Sequence, residues 1–113
     1  MKSLDNFTVY QKSISFLALA SRILEALSHG NSTLSDQLRR SSLSISLNIA
    51  EGSGKLTPKD RRRYFATARG SALEAYAVVD ARRVLGIVEN VLVLEAKGIL
   101  REVVSMLTAL VKV

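Results

Sequence analysis

The stretch Leu34-Ser35-Asp36-Gln37-Leu38-Arg39-Arg40-Ser41-Ser42-Leu43-Ser44-Ile45-Ser46-Leu47-Asn48-Ile49-Ala50-Glu51-Gly52-Ser53-Gly54 carries two hydrophobic patterns at once. Projected at about 100° per residue, Leu34, Leu38, Ile45 and Ile49 share one face of a helix, whereas Leu43, Leu47 and Ala50 lie nearly opposite. A helix that is apolar on two sides needs two packing partners. One is the core of its own bundle. The other is a neighbouring subunit, or further helices of the same chain if the segment is simply central in a tight bundle. The helix begins after Ser32 or Thr33, where Thr33 and Asp36 have the spacing of a capping box, and stops at Gly52-Ser53-Gly54.

Working outward from this segment, three more helices follow from the same periodicity. Upstream, a helix over about Thr8 to Ser28 carries Phe7, Tyr10, Ile14, Leu17, Leu24 and Leu27 at helical spacing and closes at His29-Gly30-Asn31. Downstream, Thr57 can cap, Pro58 is preorganised for the first helical position, and Asp60 complements the positive helix end. That third helix runs to about Leu85. After a short connection through Gly86-Ile87-Val88-Glu89-Asn90, a fourth runs from about Val91 to Val111, with Leu92, Ile99, Val103, Met106 and Leu110 on one side. Gly98 is a weak point in it, costing about 1 kcal/mol relative to alanine if exposed. No stretch shows the strict alternation of a strand, so the expected class is all-α, a four-helix bundle formed by one domain, residues 1–113.

Composition adds a second argument for self-association. Of 113 residues 48% are hydrophobic, and the mean hydropathy is +0.19. A domain of this length buries only roughly two-thirds of the surface its unfolded chain exposes, so a surplus of apolar side chains points to contacts between copies. A charge-free stretch such as Ser41 to Ala50 is about half the roughly 20 residues that a membrane-spanning helix needs. Asp5 and polar neighbours interrupt the N-terminal region where a secretory signal would be continuous and apolar, so a cytoplasmic protein is expected. There are no cysteines, which excludes disulfides and thiolate metal sites.

Candidate catalytic motifs fail on their chemistry. Around Gly54-Lys55, a phosphate-binding loop would require glycine where Ile49 stands and a hydroxyl where Leu56 stands, and a helix precedes it where a strand should. His29 is the only histidine, in a loop with no carboxylate at ligand spacing. Ser71 and Glu74 have no partner base or metal cluster. No enzymatic activity, metal or cofactor is expected.

Two groups of residues remain. Ser41, Ser44, Asn48 and Glu51 form a polar stripe that an antiparallel hairpin sets against Ala68, Gly70, Ser71 and Glu74, with Ser41 opposite Gly70 or Ser71 and Gln37 near Glu74. Small side chains there would let two helix backbones approach closely, Gly70 among them. The second group is basic: Lys55, Lys59, Arg61, Arg62, Arg63 and Arg69 fall within a short stretch opposed only by Asp60. With a net charge of +6 and a pI near 10.1, this is either a phosphate-binding end at the start of the third helix or a solvated helix start. Aromatics for base stacking are limited to Tyr64 and Phe65.

The run Gln37-Leu38-Arg39-Arg40-Ser41-Ser42, then Ser44-Ile45 and Asn48-Ile49-Ala50-Glu51-Gly52, followed by Phe65, Ala68, Gly70-Ser71 and Glu74, resembles the four-helix-bundle family encoded in intervening sequences of bacterial 23S ribosomal RNA genes. The resemblance is strong over residues 34–76 and otherwise one of hydrophobic pattern and length. It implies an up-down-up-down bundle assembling into a ring-shaped homopentamer without enzymatic activity, and assigns Asn48, Glu51, Gly52, Gly70, Ser71 and Glu74 to a structural family motif. A related branch, the accessory variability determinants of diversity-generating retroelements, comprises basic pentamers that bind nucleic acid and a reverse transcriptase; the charge here is similar to theirs, whereas the Asn48–Gly52 run looks more like the intervening-sequence branch. Ser41-Ser42 departs from the Arg-Ala-type pair common in the family, and the loop before the fourth helix is short.

Sequence and resemblance together lead to a bundle whose interface is formed by Leu43, Leu47 and Ala50 and whose basic residues contact RNA or another nucleic acid. The alternatives are an adaptor for a reverse transcriptase and a purely structural assembly protein.

Overall fold

The computed structural model describes residues 2–25, 32–86 and 90–113, and among these every regular element is a helix. A one-turn helix α1 (Lys2–Asp5) leads into four long ones, α2 (Thr8–Glu25), α3 (Ser32–Ser53), α4 (Pro58–Val84) and α5 (Asn90–Lys112). Each long helix packs against two others, α3 between α2 and α4, and α5 between α4 and α2. Contacts whose numbers run in opposite directions mark two seams as antiparallel: Ser44 with Ser71 then Gly52 with Phe65 between α3 and α4, and Arg62 with Val113 then Arg69 with Thr108 between α4 and α5. This is the up-down-up-down bundle, 44 Å long and 23 × 21 Å across.

The clearest expected boundary is present. Thr57 adopts an extended conformation and its hydroxyl accepts from the Asp60 N–H at 3.2 Å, with Pro58 opening α4, so an otherwise unpaired helix-end donor is satisfied. The helix ends at Val84 with Leu85 as its cap, and Gly86 follows at φ +71°, a left-handed value that suits glycine. Ser32 and Thr33, expected to precede the second helix, belong to α3, and Asp36 pairs with Arg39 at 3.2 Å. The expected end of the first helix at Leu27 and Ser28, its closing loop His29-Gly30-Asn31, and Ile87 to Glu89 of the expected connection lie outside the described residues, while Asn90, expected in that connection, opens α5.

The core corrects the facing of the outer helices. On α2 the buried positions are Val9, Ser13, Phe16, Leu19, Ala20 and Ile23, whereas Tyr10, Leu17 and Leu24 are only half-buried and Ile14 is exposed. The stripe of large side chains differs from the buried face because small residues, Ser13 and Ala20, lie within that face. Ser13 sits at its centre, donating to the Tyr10 carbonyl at 2.7 Å and accepting from the Ser46 hydroxyl at 3.0 Å, so burying it leaves no polar atom unpaired. On α5 the same shift puts Val93, Ala96, Leu100 and Leu107 inside beside Leu92 and Val103, with Ile99, Met106 and Leu110 at the margin.

On α3 the two faces are where they were expected. Leu38, Ile45 and Ile49 are fully buried, Leu34 packs at the edge of the core, and Leu43 and Leu47 remain 46% and 55% exposed, with Ala50 half-buried. The glycine that brings α3 and α4 together is Gly52. A Cβ built there would lie 2.7 Å from Phe65 Cε1 and 3.1 Å from Tyr64 Cβ. Gly70 does not face α3: it is exposed, and nothing lies within 4 Å of an added Cβ. Gly52→Ala should therefore cost about 1–3 kcal/mol by overpacking. Gly98→Ala, which meets open space within α5, should gain up to about 1 kcal/mol. Paired thermal melts check both signs; a Gly52→Ala protein as stable as wild type would show that the seam can widen.

Candidate functional site

Hydrogen bonds tie the polar stripe together from within. Asn48 Nδ2 donates to the Ser44 carbonyl at 2.9 Å and lies 3.1 Å from its hydroxyl, which in turn meets Ser71 Oγ on α4 at 2.8 Å. Ser41 is buried and bonds back to the Gln37 carbonyl at 2.7 Å. Gln37, Arg40, Ser41, Ser44, Ser71 and Glu74 line one polar hollow of about 180 Å³, so the expected faces of the two helices meet, but the register is shifted by about one helical turn: Ser44, where Ser41 was expected, stands opposite Ser71. Glu51, exposed, faces Lys55 at 3.6 Å. Beside this stripe, Leu47, Ala50, Glu51, Gly54 and Lys55 border an open hollow of about 410 Å³ on the outer side of α3.

The six basic residues singled out by the sequence do not form one patch, because α4 turns them to different sides. Lys55 and Arg63 flank the Tyr64 ring, each 4.9 Å from its centroid, and Arg63 also lies 3.8 Å from Asp60. Arg61 donates to the Lys55 carbonyl at 3.0 Å and so fastens the α3–α4 turn. Lys59 is exposed. Arg62 and Arg69 point the other way, to α5: Arg62 donates to the Val113 carbonyl at 3.0 Å and Arg69 to the Thr108 hydroxyl at 2.8 Å. Phe65 is buried against Phe7 at a centroid distance of 6.0 Å and offers no surface for a base.

Sequence reasoning missed the continuation of this second side. Further along α4, Tyr76 carries Lys97 at 4.9 Å and Arg101 at 5.7 Å over its ring, and Arg101 also donates to the Tyr76 hydroxyl at 3.0 Å. Asp80 accepts from Lys97 at 2.5 Å and from Arg83 at 3.5 Å. The signal was available as spacing, since Arg62, Arg69, Tyr76 and Arg83 recur every seventh residue, but it becomes informative only once α5 is known to bring its own cations alongside. Also missed was Arg82, fully buried, whose guanidinium has one long bond to the Ser35 hydroxyl at 3.4 Å and two nitrogens, Nε and Nη1, without a partner. Desolvation pulls its pKa below the ordinary arginine value. Among the described residues no group of three or more His, Asp or Glu side chains could hold a metal ion, and no helix is long and apolar enough to cross a membrane.

Comparison with known proteins gives a family and a fold. The family model for the 23S rRNA-intervening sequence protein matches residues 5–109. Among solved structures, the chain is similar to a protein of unknown function from the S23 ribosomal protein family of Bacteroides thetaiotaomicron, at 20% identity with a TM-score of 0.87, covering 93% of this chain and 99% of that one. No curated protein matches.

The hydrogen bond from Lys97, opposed by partial burial and helped by the Lys97 and Arg83 charges, holds the Asp80 carboxyl below its ordinary pKa. A depressed carboxyl stabilises the fold above its unfolded pKa of about 3.9, and that stability is lost as pH falls through the lower folded value. Carboxyl NMR titration should place Asp80 below the ordinary aspartate value, and Lys97→Gln should move it back up; no movement would show that Lys97 is not its main partner.

Proposed function

The chain belongs to the 23S rRNA-intervening sequence protein family, and from that premise we propose that it is a non-enzymatic protein that assembles with copies of itself and binds structured RNA through its basic surface. The observation that carries the RNA reading is the charge: 16 Lys and Arg against 10 Asp and Glu, with most of the cations around α4 left at least partly accessible. Cations on a rigid helical scaffold attract a polyanion by releasing its counterions, without any base-reading group.

Assembly is supported by the outer face of α3, where Leu43 and Leu47 stand uncovered opposite the buried Leu38, Ile45 and Ile49. A face of this kind, meeting a different surface of the next copy, closes into a ring when the rotation allows. The resemblance to ring-shaped relatives makes the pentamer the expected closure. A ring would repeat the basic surface in each subunit and convert weak contacts into multivalent binding. Against catalysis, the Ser71 hydroxyl is held by Ser44 and has no adjacent base to activate it. The cytoplasm is its expected place.

Light scattering should give a single closed oligomer at micromolar concentration, and Leu47→Asp should dissociate it; a wild-type monomer would refute the assembly. The assembled protein should retard structured RNA at about 50 mM salt and lose affinity steeply towards about 200 mM. Failure to bind at the lower salt would refute the RNA reading.

A further inference from the structure

The α4–α5 groove holds nearly all of the chain's excess charge. Arg62, Arg69 and Arg83 line it from α4, and Lys97, Arg101 and Lys112 from α5. Lys112 follows Thr108 by one helical turn on the same side of α5. Among the described residues Asp80 is the only side-chain carboxylate in the groove, whereas Glu102 on the far side of α5 pairs with Lys12 of α2 at 2.6 Å. Six cations against one carboxylate leave +5 of the chain's +6, so the rest of the protein is close to neutral. The start of α4 is weaker by comparison, because Glu51 and Asp60 stand beside Lys55 and Arg63 there.

The groove is also regular. Arg62, Arg69, Tyr76 and Arg83 succeed one another every seven residues, about 10 Å along the axis, and the row extends over about 30 Å. Arg69 is positioned by the Thr108 hydroxyl and Arg101 by the Tyr76 hydroxyl, both neutral acceptors, so these two charges are oriented without being neutralised, while Arg62 is held by the main-chain oxygen of Val113. The Tyr76 ring already carries Lys97 and Arg101, which leaves it poorly placed to stack on a base. A straight, spaced row of oriented guanidinium groups without a free aromatic platform suits the phosphate backbone of a duplex better than an unpaired strand, which is gripped by base stacking.

We infer that the α4–α5 groove is the RNA-contacting surface and that it takes the backbone of double-stranded RNA, an inference that rests on the proposed RNA-binding function and narrows it to one face and one form of RNA. The start of α4, which sequence alone favoured, is then secondary.

Two variants separate these surfaces: Arg62→Gln with Arg69→Gln and Arg101→Gln in the groove, and Lys55→Gln with Lys59→Gln and Arg63→Gln at the start of α4. Each is assayed with an RNA duplex of roughly 16 base pairs and with one of its strands alone, after light scattering and thermal melting confirm an intact assembly. The groove variant should weaken duplex binding at least about tenfold at low salt and lower the salt slope by about three, whereas the other variant should change both less. Lysines at positions 62, 69 and 101, introduced as Arg62→Lys, Arg69→Lys and Arg101→Lys, keep the charge and should restore most of the affinity, which a purely structural role for the guanidinium groups would not allow.

The outcomes are distinguishable. If wild type binds neither RNA, the RNA-binding function fails and this inference with it. If wild type binds the duplex and the groove variant binds it equally well, the groove serves some other anionic surface, such as that of a protein, and only the inference falls. A stronger grip on the single strand overturns the assignment to a duplex.

Discussion

Everything else in the molecule depends on how closely α3 and α4 can approach. Gly52 sits with its Cα against the Phe65 ring, where even a methyl group would overlap, and the Ser44 and Ser71 hydroxyls meet 2.8 Å apart further along the same seam. Small residues at a helix contact let backbones come together and let short polar side chains bridge them. Because the seam is tight, Phe65 is drawn inward to meet Phe7, and α3 is rotated so that Leu38, Ile45 and Ile49 fill the core. The same rotation leaves Leu43 and Leu47 with nothing to cover them in the single chain.

The seam also fixes the orientation of α4 and so distributes its charges. With Ser71 and Tyr64 turned to α3, Arg62, Arg69, Tyr76 and Arg83 turn to α5 and meet Thr108, Arg101 and Lys97 in a consistent antiparallel register. In the function proposed above, the bundle separates two tasks by face. The outer side of α3 is apolar and suits another copy; the α4–α5 groove is basic and suits a polyanion. Asp80 anchors Lys97 and Arg83 in that groove, and its depressed pKa follows from the contact.

Much of this architecture was legible in the sequence. The capped start of α4 was readable because Thr57, Pro58 and Asp60 act locally, and the double face of α3 because its large side chains fall at two separate helical phases. Facing was misread where small residues carry the contact: hydrophobic periodicity weights Tyr10 and Ile14 above Ser13 and Ala20, yet Ser13 is central because Ser46 satisfies it. Gly70 was misassigned for a related reason, since a glycine near a small-residue stripe does not itself specify the side on which the partner lies; Gly52, one helical turn after Asn48, held that position. The basic residues were read as a cluster because they are close in sequence, whereas a helix separates residues 62 and 63 by about 100° and sends them to different grooves. The buried Arg82 had no local signal at all.

The division of faces is tested most directly by lysine footprinting of the intact assembly, acetylating it with and without duplex RNA and reading each site by mass spectrometry. Lys112 lies in the α4–α5 groove, and Lys55 and Lys59 at the start of α4, so the reagent reports both surfaces in one experiment. The account requires RNA to shield Lys112, and Lys97 about 22 Å further along the same helix, while Lys55 and Lys59 remain as reactive as in the free protein. Protection of Lys55 and Lys59 with Lys112 unchanged would contradict it.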